Sequence, residues 1–157
     1  MRSCSVSLLF TVVLLSGCGS QKQPETAMYR GFSLASVVER MNVPELTHVS
    51  GEVGGTESVE EKTRRRRDFN LTYQIEEREG TRFDDSNFII LLKVEVERVM
   101  LESGVRLQGG GSYNDGFHFD YSKEGHEGWL EVVVARVEGD RLKLWGVLRE
   151  NAEKETK

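Results

Sequence analysis

Hydrophobic and polar positions along the chain fall into several distinct rhythms. Between Val6 and Leu15 every residue except Ser7 and Thr11 is apolar, a run about half the ~20 residues that a membrane-crossing helix needs. Leu34, Val37, Val38 and Met41 recur at i, i+3, i+4 and i+7, which predicts a short helix that Ser33 can cap and that Asn42 and Pro44 end. Glu45 to Lys62 mixes acids and small residues with Gly51, Gly54 and Gly55 and reads as irregular. From Asp68 to Glu77, Phe69, Leu71, Tyr73 and Ile75 alternate with polar neighbours, the pattern of a half-buried strand. Phe88 to Leu101 is densely apolar and holds neither Gly nor Pro. Val94 to Glu97 alternates as a strand would, but the length of the run favours a helix from a cap at Asp85 or Ser86 to about Ser103, with Gly104 as its C-cap.

Beyond that helix, Val105 to Gln108 predicts a short strand, and Gly109-Gly110-Gly111 with Asn114-Asp115-Gly116 reads as a connection. Phe117–Ser122, Trp129–Val137 and Arg141–Arg149 are then three strands of an antiparallel meander. Their inward faces are Phe117, Phe119 and Tyr121, then Leu130, Val132 and Val134, then Leu142, Leu144 and Leu148. The other face carries Trp129, Val133, Ala135, Val137, Trp145 and Val147, less polar than a bare solvent face. Cover by the N-terminal helix around Val37 and Val38 is the favoured explanation, and a partner protein is the alternative. The expected fold is α+β: one long helix packed on an antiparallel sheet of about four strands, with a short N-terminal helix.

At 157 residues the chain suits one domain. A net charge of −5 favours solubility and argues against general nucleic-acid binding. The apolar run at the start follows Arg2 and leads into Leu15-Ser16-Gly17-Cys18, the layout of a bacterial export signal ending in small residues and a cysteine. This stretch resembles the lipobox of bacterial lipoproteins. The resemblance covers residues 1–18 only and implies cleavage between Gly17 and Cys18, acylation of the Cys18 thiol and often of the new amine, and anchoring in the cell envelope. By the same resemblance Gly19, where an Asp would retain the protein in the inner membrane, favours the outer membrane of a two-membrane cell. Two acyl chains make a stable anchor, since burial is worth ~0.8 kcal/mol per CH₂ and one myristoyl chain binds only marginally. Cys4 lies in the signal, so the mature chain has no thiol for a disulfide or a metal. The expected organisation is a signal at 1–17, a lipidated Cys18 and polar tether at 18–28, one domain at 29–150 and a charged tail at 151–157. A tether of about ten residues, with reach scaling as ~5–6 Å × √n, keeps the domain near a membrane surface.

Two clusters could carry chemistry. Arg64, Arg65, Arg66 and Arg67 could bind phosphate-bearing lipids or anionic wall polymers, although Glu57, Glu60 and Glu61 upstream could instead neutralise a solvated run. His118 and Asp120 leave one face of their strand, and with His126 across the turn they could hold zinc or another divalent ion; a polar strand face and a charged hairpin tip explain the same residues. His48 stands alone. No nucleophile elbow, zinc-protease motif or complete phosphate loop occurs. No cofactor is implied and no catalytic residue is assigned. The sequence therefore reads as a lipid-anchored envelope protein carrying a non-catalytic binding module, the alternative being a metal-binding or hydrolytic protein that uses His118, Asp120 and His126.

Overall fold

The computed structural model describes residues 31–52, 57–60, 64–77, 79 and 82–151. In chain order the elements are α1 (Leu34–Met41), β1 (Leu46–Glu52), β2 (Glu57–Glu60), β3 (Arg64–Ile75), α2 (Asp85–Glu102), β4 (Arg106–Tyr113), β5 (Gly116–Lys123), β6 (His126–Val137) and β7 (Arg141–Asn151). The seven strands form one antiparallel sheet in the order β1-β3-β7-β6-β5-β4, with β2 following β1 along the same edge of β3.

Tight turns set the register from β4 to β7. Glu124 and Gly125 form the two-residue β5–β6 loop, both at positive φ (50° and 86°), which suits the right-handed twist of the flanking strands. The pleat then sends Phe69, Leu71 and Tyr73 of β3, Phe117 and Tyr121 of β5, Leu130 and Val132 of β6, and Leu142, Leu144 and Leu148 of β7 to one buried face.

Both helices contribute to this core. In α1, Ser33 accepts a hydrogen bond from the Ser36 N–H, and Leu34, Val37 and Val38 are buried. In α2 the Asp84 carboxylate accepts from the Ser86 and Asn87 N–H groups at 3.0 and 3.1 Å, while Leu92, Val96 and Met100 have no exposed surface. Phe32, just before α1, meets Phe69 edge-on at 5.6 Å between ring centroids.

Several expectations are corrected. A long helix over about four strands is not the architecture: seven strands make the sheet the main body, and the helices are a layer on one side. Residues 45–62, expected to be irregular, contain β1 and β2. These strands are poor in apolar residues because each borders the sheet; what orders them is the edge of the twelve-residue β3, whose backbone groups need partners. Gly51 (φ 141°) permits that approach, since a Cβ there would fall 2.4 Å from the Asn70 carbonyl oxygen. The triple glycine, expected to be a loop, lies inside β4. The cap of α2 is Asp84, not Asp85 or Ser86. Finally, α1 packs into the core and does not cover the opposite face of the sheet, because Leu34, Val37 and Val38 belong to the same cluster as the inward strand residues.

Candidate binding face on the open side of the sheet

The side chains that alternate with the core residues form the second face of the sheet, and no helix among the described residues lies over it. Register brings Trp129 beside Asp120 on β5 and Arg149 on β7, Glu131 beside His118 and Val147, and Val133 beside Trp145. The Arg149 guanidinium carbon lies 5.3 Å from the Trp129 ring centre, and the Lys143 ammonium 5.9 Å from that of Trp145. Trp145 is 38% and Tyr113 41% exposed, so the face keeps large aromatic surface in water.

The glycines of β4 make this arrangement possible. A Cβ on Gly111 would sit 2.6 Å from His118 Cε1, and one on Gly109 would sit 3.2 Å from Asp120 Oδ2. Their absence lets the His118 ring and the Asp120 carboxylate lie across β4. His118 in turn stacks with Tyr113, the ring centres 5.5 Å apart and the planes 17° from parallel. The Tyr113 hydroxyl is 2.8 Å from His118 Nδ1 and donates to Glu131 Oε1 at 3.2 Å. A hydroxyl has one proton, so a Tyr113 that donates to Glu131 accepts from the His118 Nδ1–H. Partial burial first, and the Glu131 charge second, push the Tyr113 phenol above its ordinary value. The chain fixes the orientation of the two rings.

At the β4–β7 end of the same face a groove of about 580 Å³ is lined by Gln108, Asp120, Glu127, Gly128, Trp129, Arg149 and Asn151. A second hollow, of about 470 Å³, lies between α1 and β1, and His48 lines it with Tyr73 and Glu39. His48 meets the Tyr73 ring edge-on at 5.3 Å.

Burial, with a contribution from the Glu39 charge, pushes the Tyr73 phenol up to about 12. Tyr121 is displaced in the same direction, by burial first and by Glu150 second. Both raised phenols act on stability with one sign. They ionise near 10 once unfolded but higher in the folded chain, so their contribution is complete below about pH 10 and is lost above it, for Tyr73 at about 1.4 kcal/mol per pH unit until it too ionises at about 12. Urea midpoints should therefore hold steady up to about pH 10 and fall beyond. The fall should be shallower in Tyr73→Phe, and an unchanged slope would refute the assignment.

The residues singled out from sequence are scattered. Gly17 and Cys18 lie outside the described residues. The four arginines lie in β3, where Arg66 and Arg67 take opposite faces of the sheet. Arg66 pairs with Asp68 at 2.9 Å, whereas Arg67 donates to the Phe32 carbonyl at 2.9 Å and lies over the Phe69 ring. Register also sets Glu57 opposite Arg67 and Glu60 opposite Arg64. His118 and Asp120 share the open face, but His126 pairs with Lys123 at the hairpin tip and has the parity of Gly128 and Leu130, which is that of the core side. Among the described residues no group of three or more His, Cys, Asp or Glu side chains is placed to hold a metal.

Sequence reading passed over Arg149, Gln108, Asn151 and the Tyr113–His118–Glu131 chain. Their signal was weak: a Trp on one strand and an Arg on the next meet only once the register is known. The geometry defines an antiparallel-sheet domain with its helices on one side and an aromatic, hydrogen-bonding face on the other. No protein-family model matches the chain, and neither a curated protein nor a solved structure matches it. No helix among the described residues is long and apolar enough to cross a membrane.

Proposed function

We propose that the protein is a lipid-anchored cell-envelope protein, held by Cys18 and favouring the outer membrane where the cell has two, whose domain is a non-catalytic binding module. The observation that carries the binding role is the asymmetry of the sheet. Its core side is filled by α1 and α2, whereas the other side leaves Trp129, Val133, Trp145 and Val147 without a covering element among the described residues. Apolar surface of this kind, with Trp145 exposed, Trp129, Val133 and Val147 half-buried and Asp120, Glu131 and Lys143 among them, marks interaction sites. The lipobox-like segment supports placing that face close to an envelope surface, where an envelope protein or polymer would meet it.

Capture from native membranes tests the reading. The lipidated full chain should retain a discrete envelope component, and a Val133→Ser, Trp145→Ala variant should lose it while keeping its thermal midpoint. Equal capture by both forms would exclude this face.

A further inference from the structure

We propose that the groove at Trp129 is a subsite for a neutral sugar ring of an envelope glycan, a proposal that rests on the open face being the binding face. A sugar ring offers two kinds of surface: a C–H face that packs on an aromatic plane, and hydroxyls that each donate and accept. The groove presents the complement of both. One indole is surrounded by two carboxylates (Asp120, Glu127), two carboxamides (Gln108, Asn151) and the Arg149 guanidinium. These planar groups can bridge neighbouring hydroxyls in pairs, and Trp129 supplies the apolar wall. Its volume of about 580 Å³ falls within the range of sites for small ligands.

The hydrogen-bonding capacity of this ring of side chains is unspent. Gln108, Asp120, Glu127 and Asn151 make no side-chain hydrogen bond or ion pair with the described residues. Arg149 Nε is enclosed and lacks a partner among them. Gln108, Asp120, Glu127 and Asn151 face solvent, so their bonding groups are open to a ligand, while Arg149 Nε is the enclosed one. The site is also pre-formed: Arg149 braces the indole from β7, and Gly109 leaves room for the Asp120 carboxylate.

Charge separates the candidate ligands. Two carboxylates against one guanidinium give the groove a negative balance, which disfavours phosphate-bearing polymers and suits a neutral ring. Trp145 extends the argument along the face. It lies four residues from Arg149 on β7, or ~13 Å at ~3.3 Å per residue. A linear oligosaccharide that leaves the Trp129 groove along the strands would reach this second exposed aromatic.

The test uses the lipidated full chain in a sugar-free zwitterionic detergent. It is titrated with tetrasaccharides of β1,4-linked N-acetylglucosamine, β1,4-linked glucose and α1,4-linked glucose, and followed by tryptophan fluorescence and calorimetry. At least one should bind saturably. Trp129→Ala and Asp120→Asn should each weaken it by at least about tenfold, Trp145→Ala by several-fold, and Arg40→Gln, on the helix side of the sheet, not at all. Melting curves establish that each variant is folded, and Asp120→Asn, at an exposed position, keeps the outcome readable if Trp129→Ala is not. Absence of saturable binding to all three sugars overturns the proposal, as does binding that both groove variants leave intact. If the sugars fail while a protein is captured through Val133 and Trp145, the sugar subsite falls and the binding-face reading stands. If neither binds, both fall.

Discussion

Gly128→Ala should destabilise the domain by about 3 kcal/mol and lower its melting temperature by roughly 10 °C, far more than a surface methyl group normally does. A Cβ at this position would lie 2.2 Å from Tyr121 Cζ and 2.4 Å from its hydroxyl oxygen. Tyr121 cannot swing away, because it is 1% exposed and its hydroxyl donates to Glu150 Oε1 at 2.9 Å. Glu150 is itself 3% exposed, and its Oε2 has no partner among the described residues. Displacing the phenol would therefore combine overpacking with a buried carboxylate deprived of its donor, each worth about 1–3 kcal/mol. Thermal melts of the single variant and of Gly128→Ala in a Tyr121→Leu background check this. The penalty should shrink in the smaller background, and an equal penalty in both would show that Tyr121 is not the obstacle.

That interlock was invisible in the sequence, and the reason is physical. Gly128 reads locally as a strand breaker, and only the register of β5 against β6 shows it as the bed for a tyrosine ring. Gly109 to Gly111 failed in the same way: glycine signals a turn by its conformational freedom, yet here it supplies space for His118 and Asp120. The legible parts were those in which one residue's chemistry suffices. Phe69, Leu71, Tyr73 and Ile75 alternate strictly and are all buried, and Ser33 caps α1 as its side chain requires. β1 and β2 could not be read because their order comes from β3, and the extent of the sheet was underestimated with them. For the candidate site, Trp129 and Trp145 were recognisable as an apolar excess on the second face. Their polar surroundings were not, since Gln108, Asp120, Arg149 and Asn151 come from three different strands.

Cys18→Ser should abolish acylation of the chain and leave residues 1–17 uncut. The thiol is the only group at that position able to take a diacylglyceryl chain. Each CH₂ buried contributes ~0.8 kcal/mol, so two long acyl chains make a stable bilayer anchor. Fractionation together with mass spectrometry of the N-terminus is the check. A variant that still sediments with membranes and still loses residues 1–17 would end the lipoprotein reading. Sugar or partner binding should persist in the unacylated variant, because the groove residues all lie within the folded domain.

The place of β7 in the sheet has a consequence for how the domain is made. It is the last of the described strands in chain order, yet it sits between β3 and β6 and pairs with both. The β4–β5–β6 meander can zip locally as it emerges. The first three strands can only hold one another, because the other edge of β3 waits for residues about seventy positions later, as in Tyr73 against Leu142. The two parts of the sheet thus stay unjoined until the final strand arrives, and Arg149 and Trp145 reach Trp129 and Val133 in the same step that closes the sheet.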